Sequence, residues 1–247
     1  MAWRHGRKSA NIPALRDGNG TMHYDHHEMA DMLVDRFFAP YRGPIPTRFE
    51  DDLEAREEHP HKEFGMEELE RLLKETSNSS TPGSSGIGWL LVKRAWPVID
   101  KVLTSVYNAC ISLGHHLERW KEATIIVIPK PDKLDYSVTK AHRPISLLET
   151  LSKLLEKAVA KRFQHEIVEH ELVPSAQFGG RMHSSCLDVA LTLVHDIQAA
   201  HAAGLKAGML LFDMKGFFDY INHAHMMAIL TQLGFSKQIV EWTKSFL

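Results

Sequence analysis

Apolar residues recur at helical spacing over most of the chain and at strand spacing only twice. Met29, Leu33 and Phe37 mark one helix from His26 to Phe38; Leu69, Leu72 and Leu73 mark another from Met66 to Thr76. From Trp89 the pattern predicts helix to about Gly114, interrupted at Trp96-Pro97, where the proline ring removes a backbone donor. The β-branched run Thr124 to Ile128, stopped by Pro129, predicts a strand, and Lys130 to Arg143 a polar loop. Ser146 with Glu149 three residues on has capping-box spacing and predicts a long helix with its stripe at Leu148, Leu151, Leu155, Val159 and Phe163. Ser185 with Asp188 opens another, apolar at Leu187, Leu191, Val194 and Ile197. Ala207 to Phe212 predicts the second strand, and Asn222 to Leu233 and Ser236 to Phe246 two closing helices. Helices, strand, helices, strand, helices indicate an α+β architecture rather than a repeating βαβ one. Turn dipeptides such as Asp17-Gly18 and Asn19-Gly20 make residues 1–62 a loosely organised lead-in around the first helix.

Composition adds bounds. At 44% hydrophobic over 247 residues the chain has material for a core, which excludes disorder throughout. Cys110 and Cys186 match no zinc or redox spacing, so no disulfide-linked partner is expected. The N-terminus lacks an apolar region behind its basic residues, and no apolar run approaches the roughly 20 residues that span a bilayer. The expectation is an intracellular protein, nuclear or cytoplasmic, neither secreted nor membrane-bound. The net charge of -2 hides an uneven distribution: acids dominate Glu50 to Glu75, whereas nine Lys and Arg face five Asp and Glu between Lys121 and Arg162. A polyanion would lie along the second stretch.

Two segments carry candidate chemistry. In LLFDMKGFFD, residues 210–219, an apolar strand delivers Asp213 to its end, where a carboxylate suits Mg2+, a hard cation that takes one or two carboxylates, waters and phosphate oxygens. The same residues also suit a helix start, with Asp219 or Asn222 as N-cap. In the stretch from IPKPDK to HRPIS, residues 128–146, Arg143 suits bidentate phosphate binding and Lys130 a point-charge contact; solvated surface charge is the alternative. The histidines lack acidic or cysteine companions at metal-ligand spacing.

In combination and in this order, TPGSSGI (81–87), WKEATIIVIPKPDK (120–133), HRPISLLETLSKLLEK (142–157), QFGGR (177–181) and LLFDMKGFFDYINHAHM (210–226) resemble the reverse transcriptase domain of non-LTR, LINE-like retrotransposons, especially of the fungal and arthropod type. The likeness runs from about residue 63 to 247. It implies a partial right-hand polymerase fold, with fingers over about 81–204 and the start of the palm over about 205–247. It also implies Mg2+ as cofactor, and an RNA template, a DNA primer and deoxynucleoside triphosphates as partners. By resemblance, Lys130 and Arg143 contact the incoming triphosphate and Asp213 binds catalytic Mg2+. Backbone groups near Met214, Gly216 and Phe217 cradle metal and phosphate, and Phe218 crowds a ribose 2'-hydroxyl. Gln177, Gly179 and Arg181 lie near template and nucleotide.

The departures are informative too. Ser85 stands where the family's loop usually has Asp, His142 where it has Tyr, Met182 to Ser185 replace a Pro-Gly-Arg-Ser run, and Phe217 replaces a small residue. They read as drift. The family's aromatic-x-Asp-Asp motif does not occur before Leu247, and nucleotidyl transfer uses two metals about 4 Å apart, so the chain is expected to be inactive alone. Without the strands bearing that motif, Ala207 to Phe212 is expected to lack partners. The alternative from another class is a non-catalytic nucleic-acid-binding or scaffold protein derived from such a domain. A group II intron maturase shares the hand but fits QFGGR and DMKGFFD less well.

Overall fold

The fold is seen in a computed structural model that describes residues 12–38, 55–182, 184–213 and 221–247. In chain order, a small hairpin of β1 (Leu15–Arg16) and β2 (Met22–His23) leads into α1 (His26–Phe37), α2 (Met66–Lys74), α3 (Trp89–Ser112) and the short α4 (Glu118–Lys121). A second hairpin, β3 (Thr124–Pro129) and β4 (His142–Leu147), precedes α5 (Thr150–Glu169), α6 (Cys186–Ala202), α7 (His223–Gln232) and α8 (Lys237–Phe246). Among the described residues this is a helix-rich α+β arrangement with two small two-stranded antiparallel sheets.

The main core lies where α2, α3, α5 and α8 meet. Leu69, Leu72 and Leu73 of α2, Tyr107 and Ile111 of α3, Leu154, Leu155, Ala158 and Val159 of α5, and Ile239 and Trp242 of α8 are all buried there. Each such large side chain withdrawn from water contributes about 1.5–3 kcal/mol. Several polar side chains at this core are paired, whereas Thr104 Oγ1 and the Trp242 indole nitrogen find no partner among the described residues. The Tyr107 hydroxyl donates to the Leu151 carbonyl at 2.6 Å, Arg162 forks onto Glu68 at 2.8 and 2.6 Å, and Lys157 reaches Glu75 at 2.9 Å. A satellite cluster of Leu172, Phe235 and Val240 seats the α7–α8 turn. The segment before α2 straps the bundle together: the Arg56 amide donates to the Gln232 carbonyl at 2.9 Å, the His59 amide to the Gly234 carbonyl at 2.7 Å, and the Phe64 amide to Asn108 at 2.7 Å.

Four sequence expectations are corrected. α3 runs unbroken through Pro97, because Trp89, Val92 and Trp96 before it and Leu103 and Tyr107 after it are all buried, and that packing outweighs one lost hydrogen bond. Ser146 does not cap a helix: it pairs with Ile125 inside β4, and α5 begins four residues later with Glu149 as its N-cap residue. The loop expected up to Arg143 ends at Ala141, since His142–Leu147 is a strand despite Pro144, which a two-stranded sheet tolerates. Ala207 to Phe212 forms no strand. Met209, Leu210, Leu211 and Phe212 are exposed and without regular secondary structure, with no neighbouring strand among the described residues to take their backbone groups.

Side-chain caps open α1, α6 and α7, those of Ser185 and Asn222 as expected. Asp25 caps α1, accepting from the His27 and Glu28 amides at 2.9 and 3.2 Å, and Ser185 with Asp188 forms a complete capping box on α6. Asn222 caps α7 by accepting from the His225 amide at 3.0 Å. No helix among the described residues is long and apolar enough to cross a membrane.

Candidate functional site

The β3–β4 hairpin brings Lys130 and Arg143 to one end. Register pairs Ile128 with Arg143 and Pro129 with His142, and the Lys130 amide closes the ladder onto the Ala141 carbonyl at 2.8 Å. Alternation then sorts the side chains by face. Ile125 and Val127 turn toward α1 and, with Ile12, Met29, Leu33 and Phe37, line an apolar cavity of about 740 Å³. Ile126, Ile128, Ile145 and Arg143 share the opposite, exposed face. Among the described residues the Arg143 guanidinium has no side-chain hydrogen bond or ion pair, while the Lys130 ammonium donates to the Lys140 carbonyl at 2.8 Å. One uncommitted guanidinium beside one tethered ammonium is an arrangement suited to phosphate oxygens.

The loop joining the strands is tightly organised. The Tyr136 hydroxyl donates to the Lys130 carbonyl at 2.9 Å, and Asp135 accepts from the Ser137 amide and hydroxyl at 2.8 and 2.6 Å, bonds that hold the Asp135 carboxyl below its ordinary pKa. His142 is buried edge-on to Tyr136, with neither ring nitrogen bonded among the described residues. A buried unpaired imidazole is costly, so this departure from the family's usual Tyr carries a stability penalty.

At the far end of the hairpin, β4 runs into α5 against the TPGSSGI loop. The Glu149 carboxylate accepts from the Ser84 hydroxyl and the Ser85 amide, both at 2.9 Å, and from the Ser85 hydroxyl, and chiefly this last bond lowers its pKa. Gly83 packs so close that a Cβ there would meet the Leu148 carbonyl carbon at 2.7 Å. Ser85, expected as drift from Asp, is therefore in structural use: an Asp at 85 would face the Glu149 carboxylate.

Among the described residues no hydrogen bond joins Gln177, Gly179, Arg181 or Asp213 to this hairpin. Gln177 donates from its side chain to the Gly179 carbonyl at 3.1 Å, and Arg181 to the Ser175 carbonyl at 3.3 Å, so both stabilise their own turn. Asp213 ends the exposed, irregular stretch. Met214, Gly216, Phe217 and Phe218 lie outside the described residues. The described residues hold no group of three or more His, Cys, Asp or Glu poised for a metal ion. Sequence reasoning missed the Glu149 clamp, and missed β4 as the element that positions Arg143. Pro144, which disfavours a central strand, masked β4 in the sequence.

The hairpin thus presents Lys130 and Arg143, charges of the kind that phosphate oxygens accept. Residues 128–247 match the sequence model of the family described as Reverse transcriptase (RNA-dependent DNA polymerase). The chain is 30% identical over 175 residues to the "Probable RNA-directed DNA polymerase from transposon BS" of Drosophila melanogaster, covering 70% of this chain and 19% of that protein. It is 27% identical over 165 residues to the corresponding protein of transposon X-element from the same species, covering 67% and 18%. It is also 24% identical over 170 residues to the Pol polyprotein of the type-1 retrotransposable element R1 of Bradysia coprophila, covering 68% and 16%. This chain is thus a member of the reverse transcriptase family of non-LTR retrotransposons. It spans less than a fifth of the length of these curated relatives.

Proposed function

We propose that this chain is the fingers and first palm part of an RNA-directed DNA polymerase, and that its β3–β4 hairpin grips the triphosphate of the incoming deoxynucleotide. The observation that carries this reading is the Ile128–Arg143 register, which sets Arg143 on an uncovered face one step from Lys130. A guanidinium fork engages two phosphate oxygens at once and the Lys130 ammonium a third, after exchanging its Lys140 carbonyl for the stronger charged acceptor. The exposed Ile126, Ile128 and Ile145 beside them offer an apolar floor next to the charged contacts. RNA template and DNA primer would lie along the same basic stretch, with Gln177, Gly179 and Arg181 in their vicinity.

Asp213 is the carboxylate this reading assigns to Mg2+. It is exposed, at the end of an irregular segment, and a single carboxylate fits the share a protein commonly gives Mg2+, whose other positions go to water and phosphate. When bound, the ion neutralises charge on the phosphates. Met214, Gly216 and Phe217 would cradle metal and phosphate through their backbone, and Phe218 would favour deoxyribose.

Titration of the purified chain with labelled dATP tests the reading. Binding should require Mg2+ and weaken at least about tenfold in Lys130→Ala and in Arg143→Ala, the scale of a lost charge-assisted hydrogen bond, and Asp213→Ala should abolish the metal dependence. RNA binding that falls steeply with salt, without any Mg2+-dependent dATP binding, would overturn it in favour of a non-catalytic nucleic-acid-binding role.

A further inference from the structure

We infer that Arg16, far away in sequence, is a positioning residue for Lys130: it holds the loop between β3 and β4 so that the lysine's end of the hairpin is set before any ligand arrives. This rests on the nucleotide reading of the hairpin. Arg16 grips the loop twice. Its amide donates to the Ser137 carbonyl at 2.7 Å, and its guanidinium pairs with the Asp135 carboxylate. The two residues so held flank Tyr136, whose hydroxyl bonds the Lys130 carbonyl at 2.9 Å and receives the Lys133 amide at 3.4 Å. The path from Arg16 to Lys130 is thus a short run of direct hydrogen bonds through a residue locked on both sides.

The other end of the path is equally fixed. Asp17 closes the β1–β2 turn by accepting from the Asn19 and Thr21 amides, each at 2.9 Å, and His23 bridges β2 to α1 through Glu28 at 2.9 Å. Leu15, Met29 and Leu33 are buried and pack with Val127 of β3. Arg16 therefore stands on a small rigid base that touches both the strand before Lys130 and the loop after it. Asp135 divides its oxygens, one to Ser137 and one to Arg16, so losing the guanidinium leaves the turn formed but held to β1 by the residue-16 amide alone.

The pair is nearly half exposed on both sides, so its loss is worth no more than an ordinary surface ion pair. Arg16→Ala should weaken Mg2+-dependent dATP binding about three- to fivefold with an unchanged melting temperature. In the Lys130→Ala background the same change should have almost no effect, which a general loss of folding would not produce. Exchanging the charges, Arg16→Asp with Asp135→Arg, should restore most of the binding. Amide hydrogen exchange at Lys130, protected by the Ala141 carbonyl, should accelerate in Arg16→Ala even without nucleotide. Unchanged exchange at Lys130, or equal losses from Arg16→Ala with and without Lys130, would overturn the inference while leaving the nucleotide reading intact. Failure of the native chain to bind dATP, with Lys130 exchange still governed by Arg16, would overturn the nucleotide reading alone.

Discussion

α5 and α6 are comparable in length, at 20 and 17 residues, and both carry apolar stripes, yet they meet opposite surroundings. α5 buries Leu154, Leu155, Ala158 and Val159 against α2, α3 and α8, and its Lys157 and Arg162 are met by Glu75 and Glu68. α6, the more apolar of the two, buries no residue among those described, and the stretch after it exposes Leu210, Leu211 and Phe212. Periodicity and a capping box suffice to specify a helix. Stability comes from the partner that covers its stripe, and among the described residues only one of the two helices has one.

Leu155→Ala should show the contrast at its largest. A fully buried leucine truncated in the α5 core is expected to cost about 3 kcal/mol in denaturant unfolding, and a value under about 1 would mean the four-helix contact is not a real core. pH reports on the α8 side of that core. His116 is fully buried among Trp120, Trp242 and Phe246, contacts Ser152 at 3.3 Å, and is pushed by burial down to about 4.

The unfolded chain takes up this proton below about 6.5 and the folded one does not, so stability is lost as pH falls from about 6.5 to about 4, by roughly 2–3 kcal/mol. Burial raises the carboxyl pKa of Glu156 and Glu166, which contribute the opposite slope just above the ordinary carboxylate range, so the His116 effect is read as native minus His116→Phe. Equal slopes in the two proteins would remove His116 from the account.

Glu149→Ala should cost about 1 kcal/mol, and the 77–87 loop should become more sensitive to proteolysis, because three bonds from Ser84 and Ser85 are lost together. The smallest effect is expected on α6: Leu191→Ala, at an exposed position, should change stability by less than about 0.5 kcal/mol. A cost near that of Leu155→Ala would show that α6 is covered in solution and would dissolve the contrast.

The legible part of this molecule is local. Helix starts at Asp25, Ser185 and Asn222, the stripes of α2 and α5, the strand at Thr124 to Ile128 and the ordered family motifs from Thr81 to Met226 are written in residues a few positions apart. The basic pair was legible as chemistry: Lys130 and Arg143 stand out in a basic stretch whether or not their spacing is known. What depended on distant residues was not legible. Pro97 sits inside α3 because of side chains buried on both sides of it, and His142–Leu147 is a strand because β3 offers its edge. Ala207 to Phe212 has every local mark of a strand and forms none, since a strand is completed only by a neighbour's backbone.

The sequence alone thus determined most of the helices, the Thr124 to Ile128 strand, the family and the charged residues suited to phosphate. Tertiary structure decided that Arg143 lies opposite Ile128, that Glu149 holds the loop expected as drift, and that Arg16 reaches Asp135 across 119 positions. Propensity and capping act within a turn or two of chain, whereas register, burial and a charge's partner depend on segments that only folding brings together.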